Sequence, residues 1–305
     1  MKKPFHITKI LIPLDFSDTS RLALEHAAHI CSKFKADLHL LHVFTGSKAD
    51  VLPNITATDA NTSDNEGIKD KILDELDGIG KEFYQKYNVG YNIEVREGSV
   101  SKEIAKTAKE VDASMIVLGT HGVSGFEEFF LGSNAYRVVT AATMPVFTVQ
   151  GHADKLGYDD IVLPIDSSKH TRDKVSQAAT IAKAFDATVH IATLVTEEHE
   201  DEEAIFNLKI KQVEEYFDGM GVKHRRKVLH GDDVAEMTIE FAKSVNADLI
   251  VAMTEQEAAT GLFMGPYAQR VVNHSPIPVM SVTPLETIKG FSQRTLGGDY
   301  RPFYI

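Results

Sequence analysis

Residues 10–21 read Ile-Leu-Ile-Pro-Leu-Asp-Phe-Ser-Asp-Thr-Ser-Arg, and residues 161–172 read Ile-Val-Leu-Pro-Ile-Asp-Ser-Ser-Lys-His-Thr-Arg. Ile10, Pro13, Asp15, Ser17 and Arg21 thus return at Ile161, Pro164, Asp166, Ser168 and Arg172, an offset of 151. The same register continues down a helical pattern, with Ala27, Ala28, Ile30, Phe34, Ala36 and His39 matching Ala178, Ala179, Ile181, Phe185, Ala187 and His190. Further on the offset shortens to 134, pairing Ala113, Ile116 and Val117 with Ala247, Ile250 and Val251. It then becomes 133, pairing Val138, Val139, Pro145, Val146 and Val149 with Val271, Val272, Pro278, Val279 and Val282. Self-similarity over this distance means one structural unit written twice. The main length difference falls at 45–66, a polar stretch that reads as a long loop.

Within each unit, short apolar runs alternate with amphipathic helical patterns. The first unit predicts strands over 7–14, 37–44, 89–96, 114–119 and 146–149, with helices near 18–34, 67–87, 100–110 and 133–142. The second repeats the order, with strands near 160–165, 187–194, 222–228, 248–252 and 279–282. Strand and helix in regular succession imply an α/β fold, with parallel strands, right-handed crossovers and helices on both faces. The expected division is a first domain over 1–150, a linker at 151–157, a second domain over 158–283 and a tail over 284–305. Tyr300, Phe303 and Tyr304 in the tail suggest packing onto a surface.

At 305 residues, the chain has room for two cores, and 43% hydrophobic with 25% charged residues is globular composition. A net charge of −12 argues against nucleic-acid or anionic-membrane partners, and no Lys/Arg stripe is evident along either repeat. Cys31 is the single cysteine, so no intrachain disulfide and no cysteine-based zinc or iron–sulfur site is expected. A reducing cytoplasm fits this composition, and neither a signal-peptide pattern nor a membrane-spanning run is seen. The acidic run at 197–203, with His199 inside it, reads as a solvated loop and helix start rather than a metal site.

Ligands of open parallel sheets bind beyond the carboxyl ends of the strands, where strand order reverses. In the first repeat those positions are Pro13, Leu14 and Asp15, then Val43 and Phe44, then Leu118 and Gly119. After the fourth strand comes Gly119-Thr-His-Gly122, then nine residues, then Gly132-Ser-Asn-Ala135. Glycine allows backbone to approach a ligand without a Cβ, and a helix opening at Ser133 offers free N–H groups, a dipole and a hydroxyl to an anion. Asp15 can equally order the turn or cap the following helix. His121 has no orienting partner nearby in sequence and reads as a loop residue rather than a base.

The spacing Gly-x2-Gly-x9-Gly-Ser at Gly119, Gly122, Gly132 and Ser133, with Pro13-Leu-Asp15 and His42-Val43, resembles the universal stress protein family in its tandem form. The resemblance covers nearly all of 5–150 and, more loosely, 158–283. It implies two doubly wound five-stranded parallel sheets of order 3-2-1-4-5, paired internally through their fifth strands. It implies a regulatory or stress-response protein binding ATP, ADP or AMP, with Mg²⁺ as an accompanying ion. Pro13, Leu14, Asp15 and Val43 would then lie around adenine and ribose, and Leu118, Gly119, His121, Gly122, Gly132, Ser133, Asn134 and Ala135 would form the phosphate side. Slow ATP turnover or self-phosphorylation is implied for some members, though no residue here stands out as a general base.

The second repeat departs from this pattern. Met253 and Gln256 replace the first two glycines, and Gly265 is followed by Pro266, which has no N–H to donate. One nucleotide per chain is therefore expected, and exchanging Gly119→Met with Gly122→Gln should abolish binding and spare the fold. The competing reading is a nucleotide-independent tandem scaffold whose second repeat binds a protein partner or another small ligand, with homodimerisation open. An adenylate-forming enzyme is disfavoured, since neither a Ser-Gly-Gly-x-Asp-Ser run nor a Gly-x4-Gly-Lys-Ser/Thr loop occurs.

Overall fold

The structure, a computed structural model, describes residues 5–45, 65–120, 132–151, 153–196, 203–254 and 264–284. The first repeat runs β1 (Lys9–Pro13), α1 (Asp18–Phe34), β2 (Asp37–Phe44), α2 (Asn65–Tyr87), β3 (Tyr91–Glu97), α3 (Val100–Glu110), β4 (Met115–Gly119), α4 (Ser133–Ala141) and β5 (Val146–Val149). The second runs β6 (Asp160–Ile165), α5 (Val175–Phe185), β7 (Thr188–Val195), α6 (Glu203–Met220), β8 (Lys223–His230), α7 (Val234–Ser244), β9 (Leu249–Met253), α8 (Pro266–His274) and β10 (Val279–Val282). The proposed loop core at 46–64, the acidic residues 197–202 and the tail from 285 onward lie outside the described residues.

All ten strands join one sheet in the order β3-β2-β1-β4-β5-β10-β9-β6-β7-β8. Each repeat is parallel and has the 3-2-1-4-5 order, while β5 and β10 meet antiparallel, with Phe147 opposite Met280. Apolar runs without alternation mark strands buried on both faces. In β1, Ile10 and Ile12 face the layer containing α1 and α2, whereas Leu11 faces α3 and α4. Both apolar layers pass through both repeats, so the two units share one three-layer body.

The junction has its own polar ties. Thr148 Oγ1 donates to Val279 O at 3.1 Å, Gln150 Nε2 donates to Val272 O at 2.9 Å, and Thr283 Oγ1 donates to Ala142 O at 3.1 Å. His26 of α1 is wholly buried, with Nε2 2.7 Å from Ala153 O and Nδ1 2.8 Å from the Tyr158 hydroxyl. A carbonyl only accepts, so Nε2 carries the proton and Nδ1 accepts from Tyr158. Tyr158, itself buried, stacks edge-on against Phe147 and Phe185 and so ties both repeats to the connecting segment.

Burial lowers the His26 pKa from 6.5, and nearby His29 lowers it further, against opposing contributions from the Ala153 carbonyl, Glu25 and Asp154. A base held neutral in the fold contributes no penalty above its unfolded pKa. As pH falls through 6.5 the unfolded chain takes up the proton first, and stability declines, by at most about 1.4 kcal/mol per pH unit for this group. The thermal midpoint is therefore expected to drop by a few degrees between about pH 7.5 and 5.5. Gln at 26 should flatten that part of the profile, leaving the similarly directed contribution of His29. An unchanged profile in His26→Gln would remove this histidine from the account.

Candidate nucleotide site

The end of β1 turns sharply into α1. Phe16 sits at φ 63°, a costly conformation for a bulky side chain, with its ring 4.9 Å from that of buried His42. His42 Nδ1 lies 2.7 Å from Leu14 O, which anchors the turn to the end of β2. Asp15 Oδ1 accepts from the Ser17 N–H at 3.0 Å and from the Ser17 hydroxyl at 2.6 Å. Ser17, not Asp15, caps α1, accepting from Ser20 N at 3.2 Å. The capping reading of Asp15 is thus replaced by a turn-ordering one, and Oδ2 has no hydrogen bond among the described residues.

On the other side, Gly132 N donates to Thr120 O at 2.8 Å, tying together the two ends of 121–131. A Cβ on Gly132 would stand 3.0 Å from that same oxygen, so glycine keeps the tie close. Tyr136 N makes the first intrahelical bond of α4, to Gly132 O. The N–H groups of Ser133, Asn134 and Ala135 therefore precede the helical ladder and are offered at its positive end.

These two sides border one cavity of about 250 Å³ at the carboxyl ends of β1, β2 and β4. Pro13, Leu14, Asp15 and Val43 line one side, and Leu118, Gly119, Gly132, Ser133, Asn134 and Ala135 the other. His121 and Gly122 lie outside the described residues. Sequence reading missed Ser20, Leu41, Val100, Ile104, Thr120 and Val138, which also line the space. Leu41, Ile104 and Val138 have ordinary core periodicity, which marks an inward face but cannot tell a packed wall from a cavity wall. Asp15 is the sole charged residue among the described lining residues, so an anion there would rely on backbone dipoles and hydroxyls.

The role assigned to Gly119 changes. Its backbone borders the cavity, but a Cβ there would lie 2.8 Å from Thr19 Cγ2 and 3.0 Å from the Thr19 carbonyl carbon and oxygen. This glycine makes room for the first turn of α1, not for a ligand directly. The second repeat shows the alternative arrangement. Met253 stands at the matching place, and α5 begins only at Val175, although Lys169 is the counterpart of Asp18 at the start of α1.

A residue absent from the sequence reading decides the second repeat. Tyr267, the counterpart of exposed Asn134, is buried at 9% exposure, with its hydroxyl 3.3 Å from Thr238 Oγ1. Thr238, Ala192 and Ala252 replace the larger Ile104, Leu41 and Leu118. Tyr267, Ala192 and Ala252 belong to the same apolar layer, so the larger ring enters a layer in which two counterparts are smaller. The signal was legible only as a covarying set: one residue grows where three shrink.

Fold and site together define a tandem, doubly wound α/β protein with a cavity at the strand-order switch point of its first repeat. The chain belongs to the universal stress protein family, whose profile matches residues 6–150 and again 157–283. A universal stress protein of Methanocaldococcus jannaschii is 34% identical over 142 residues, 47% of this chain and 81% of that protein. Universal stress protein YxiE of Bacillus subtilis is 34% identical over 151 residues, 47% of this chain and 98% of its own length. Among solved structures, a universal stress protein from Archaeoglobus fulgidus superposes with TM-score 0.70 at 19% identity, covering 90% of this chain and 98% of the other. At that identity, the likeness speaks for the fold alone. No helix among the described residues is long and apolar enough to cross a membrane.

Proposed function

We infer that the first repeat binds one adenine nucleotide, ATP, ADP or AMP, and that the protein acts in the cytoplasm as a regulatory or stress-response nucleotide binder. The observation carrying this reading is the cavity bounded by Pro13, Leu14, Asp15 and Val43 on one side and by the N-terminus of α4 on the other. Apolar Val43, Leu41 and Ile104 suit a base, and the Asp15 carboxylate suits ribose hydroxyls. The Ser133 hydroxyl and the N–H groups of Ser133 to Ala135 suit phosphate oxygens. A Mg²⁺ would be held chiefly by those phosphates and water, since Asp15 is the one carboxylate among the described lining residues.

In this reading the second repeat holds no nucleotide: Pro266 removes an N–H at the start of α8, and Tyr267 occupies the space. Its part is structural or directed at another partner. Titration calorimetry with ATP should give about one site per chain. Two equivalent sites would overturn the plugged second repeat, and no binding of ATP, ADP or AMP would overturn the nucleotide reading itself.

A further inference from the structure

The two outer edges of the sheet are equivalent by repeat but opposite in character. In β3, the position-for-position counterpart of β8, charge is balanced internally: Arg96 pairs with Glu94 and, at 2.7 Å, with Glu110. β8 reads Lys-His-Arg-Arg-Lys-Val-Leu-His, and six of its eight residues are exposed. Lys223 meets Asp186 at 2.7 Å and Arg226 meets Asn207 at 3.1 Å. Arg225 and Lys227 have no hydrogen-bond or ion-pair partner among the described residues. The absence of a Lys/Arg stripe expected from overall charge therefore does not hold at this edge.

Apolar surface accompanies the charge on both faces. Leu229 of β8, with Met237 and Phe241 of α7, floors an open groove rimmed by Lys227 and by Glu240, whose carboxylate Lys243 pairs at 2.8 Å. On the opposite face Val228 is 38% exposed, two residues beyond Arg226, and Leu208, next to Asn207 on α6, is 56% exposed. Charges on an edge strand serve to discourage stray pairing, and a few suffice for that. Arg225, Arg226 and Lys227 have no carboxylate partner among the described residues, and three such cations in succession on one strand of an acidic protein go further, because they leave a local excess of positive charge that suits an anionic partner.

We propose that β8 is a docking edge for an extended acidic segment of a protein partner, which adds as an eleventh strand. Its backbone completes the outward N–H and C=O groups of β8, its Glu and Asp side chains meet Arg225 and Lys227 on one face, and its apolar side chains meet Val228 on the other. The inference is independent of nucleotide binding. A polyanionic nucleic acid fits less well, since a single short strand of cations lies within a molecule of net charge −12.

The test is fluorescence anisotropy of the full-length protein with a labelled decapeptide of alternating Glu and Val. Three comparison ligands accompany it: the same peptide N-methylated at alternate amides, a Lys/Val version, and a single-stranded oligonucleotide of matched charge. Saturable binding of the Glu/Val peptide is expected, weakened roughly tenfold by N-methylation and by Arg225→Glu with Lys227→Glu, with no binding of the Lys/Val peptide. Circular dichroism should show the double variant folded, both positions being exposed; if it is not, the N-methylation contrast on the unaltered protein decides. Equal binding of the methylated peptide, tighter binding of the oligonucleotide, or no peptide binding would each overturn the proposal.

Discussion

Asn134→Tyr combined with Ile104→Thr is expected to abolish ATP binding by the first repeat, by about a hundredfold or more, while leaving the protein folded. The two changes transplant the Tyr267–Thr238 pair of the second repeat, in which the phenol ring is buried and its hydroxyl lies 3.3 Å from the threonine. In the first repeat the ring would enter a cavity of about 250 Å³, so it meets open space instead of packed atoms. Filling that space should cost little stability, because overpacking is destabilising only where the core is already dense. Calorimetry reports the binding loss, and circular dichroism with a thermal scan reports the fold. Retained affinity in a folded double variant would mean that nucleotide does not occupy this cavity, and the proposed site would be withdrawn.

Gly119→Ala should damage both fold and binding, contrary to what the sequence alone suggests for changes at this glycine. The new methyl would meet the Thr19 backbone at 3.0 Å, and backbone at the start of a helix cannot swing aside as a side-chain end can. We expect a loss of about 1–3 kcal/mol, with α1 starting later and the Asp15 turn displaced. Nucleotide affinity should fall by roughly tenfold or more as one wall of the cavity moves. Chemical denaturation and ATP titration of the same sample provide the measurement. A variant of unchanged stability would show that α1 gives way freely here. Gly119→Met with Gly122→Gln is a poorer probe, since binding loss would then be mixed with unfolding of the first turn of α1.

Much of the architecture is written in the order of residues. The 151-residue recurrence from Ile10 to Arg21, and the unalternating apolar runs of β1 and β4, are local signals that state a doubled, parallel, two-face-buried unit before any coordinates exist. The bounds of α1, β2, α3 and β5 coincide with the periodicity reading, because caps and strand ends are decided by neighbouring residues. Pro13, Asp15, Val43 and the Gly132–Ala135 helix start were legible as site candidates for the same reason: strand ends and helix starts are local events.

What separates the two repeats was legible only in part. Pro266 announces a missing donor, but Tyr267 is buried beside Thr238 in a layer that also holds Ala192 and Ala252, and these lie on three other elements. Volume exchange among residues far apart in sequence is a property of packing, and no local pattern carries it. The same holds for Gly119, where Thr19 of another element fills the space a Cβ would need, and for His26, whose partners Ala153 and Tyr158 lie just before β6. The cations at 223–227 went unread in the sequence, where overall charge hid them, and their place at an edge came only with β8 as the outermost strand of the sheet. Residue order determined the two units and their succession of strands and helices by local physics; tertiary contact alone decided which repeat keeps a cavity at its strand ends and which strand forms the outer edge among the described residues, because those depend on distances between elements that the chain order leaves free.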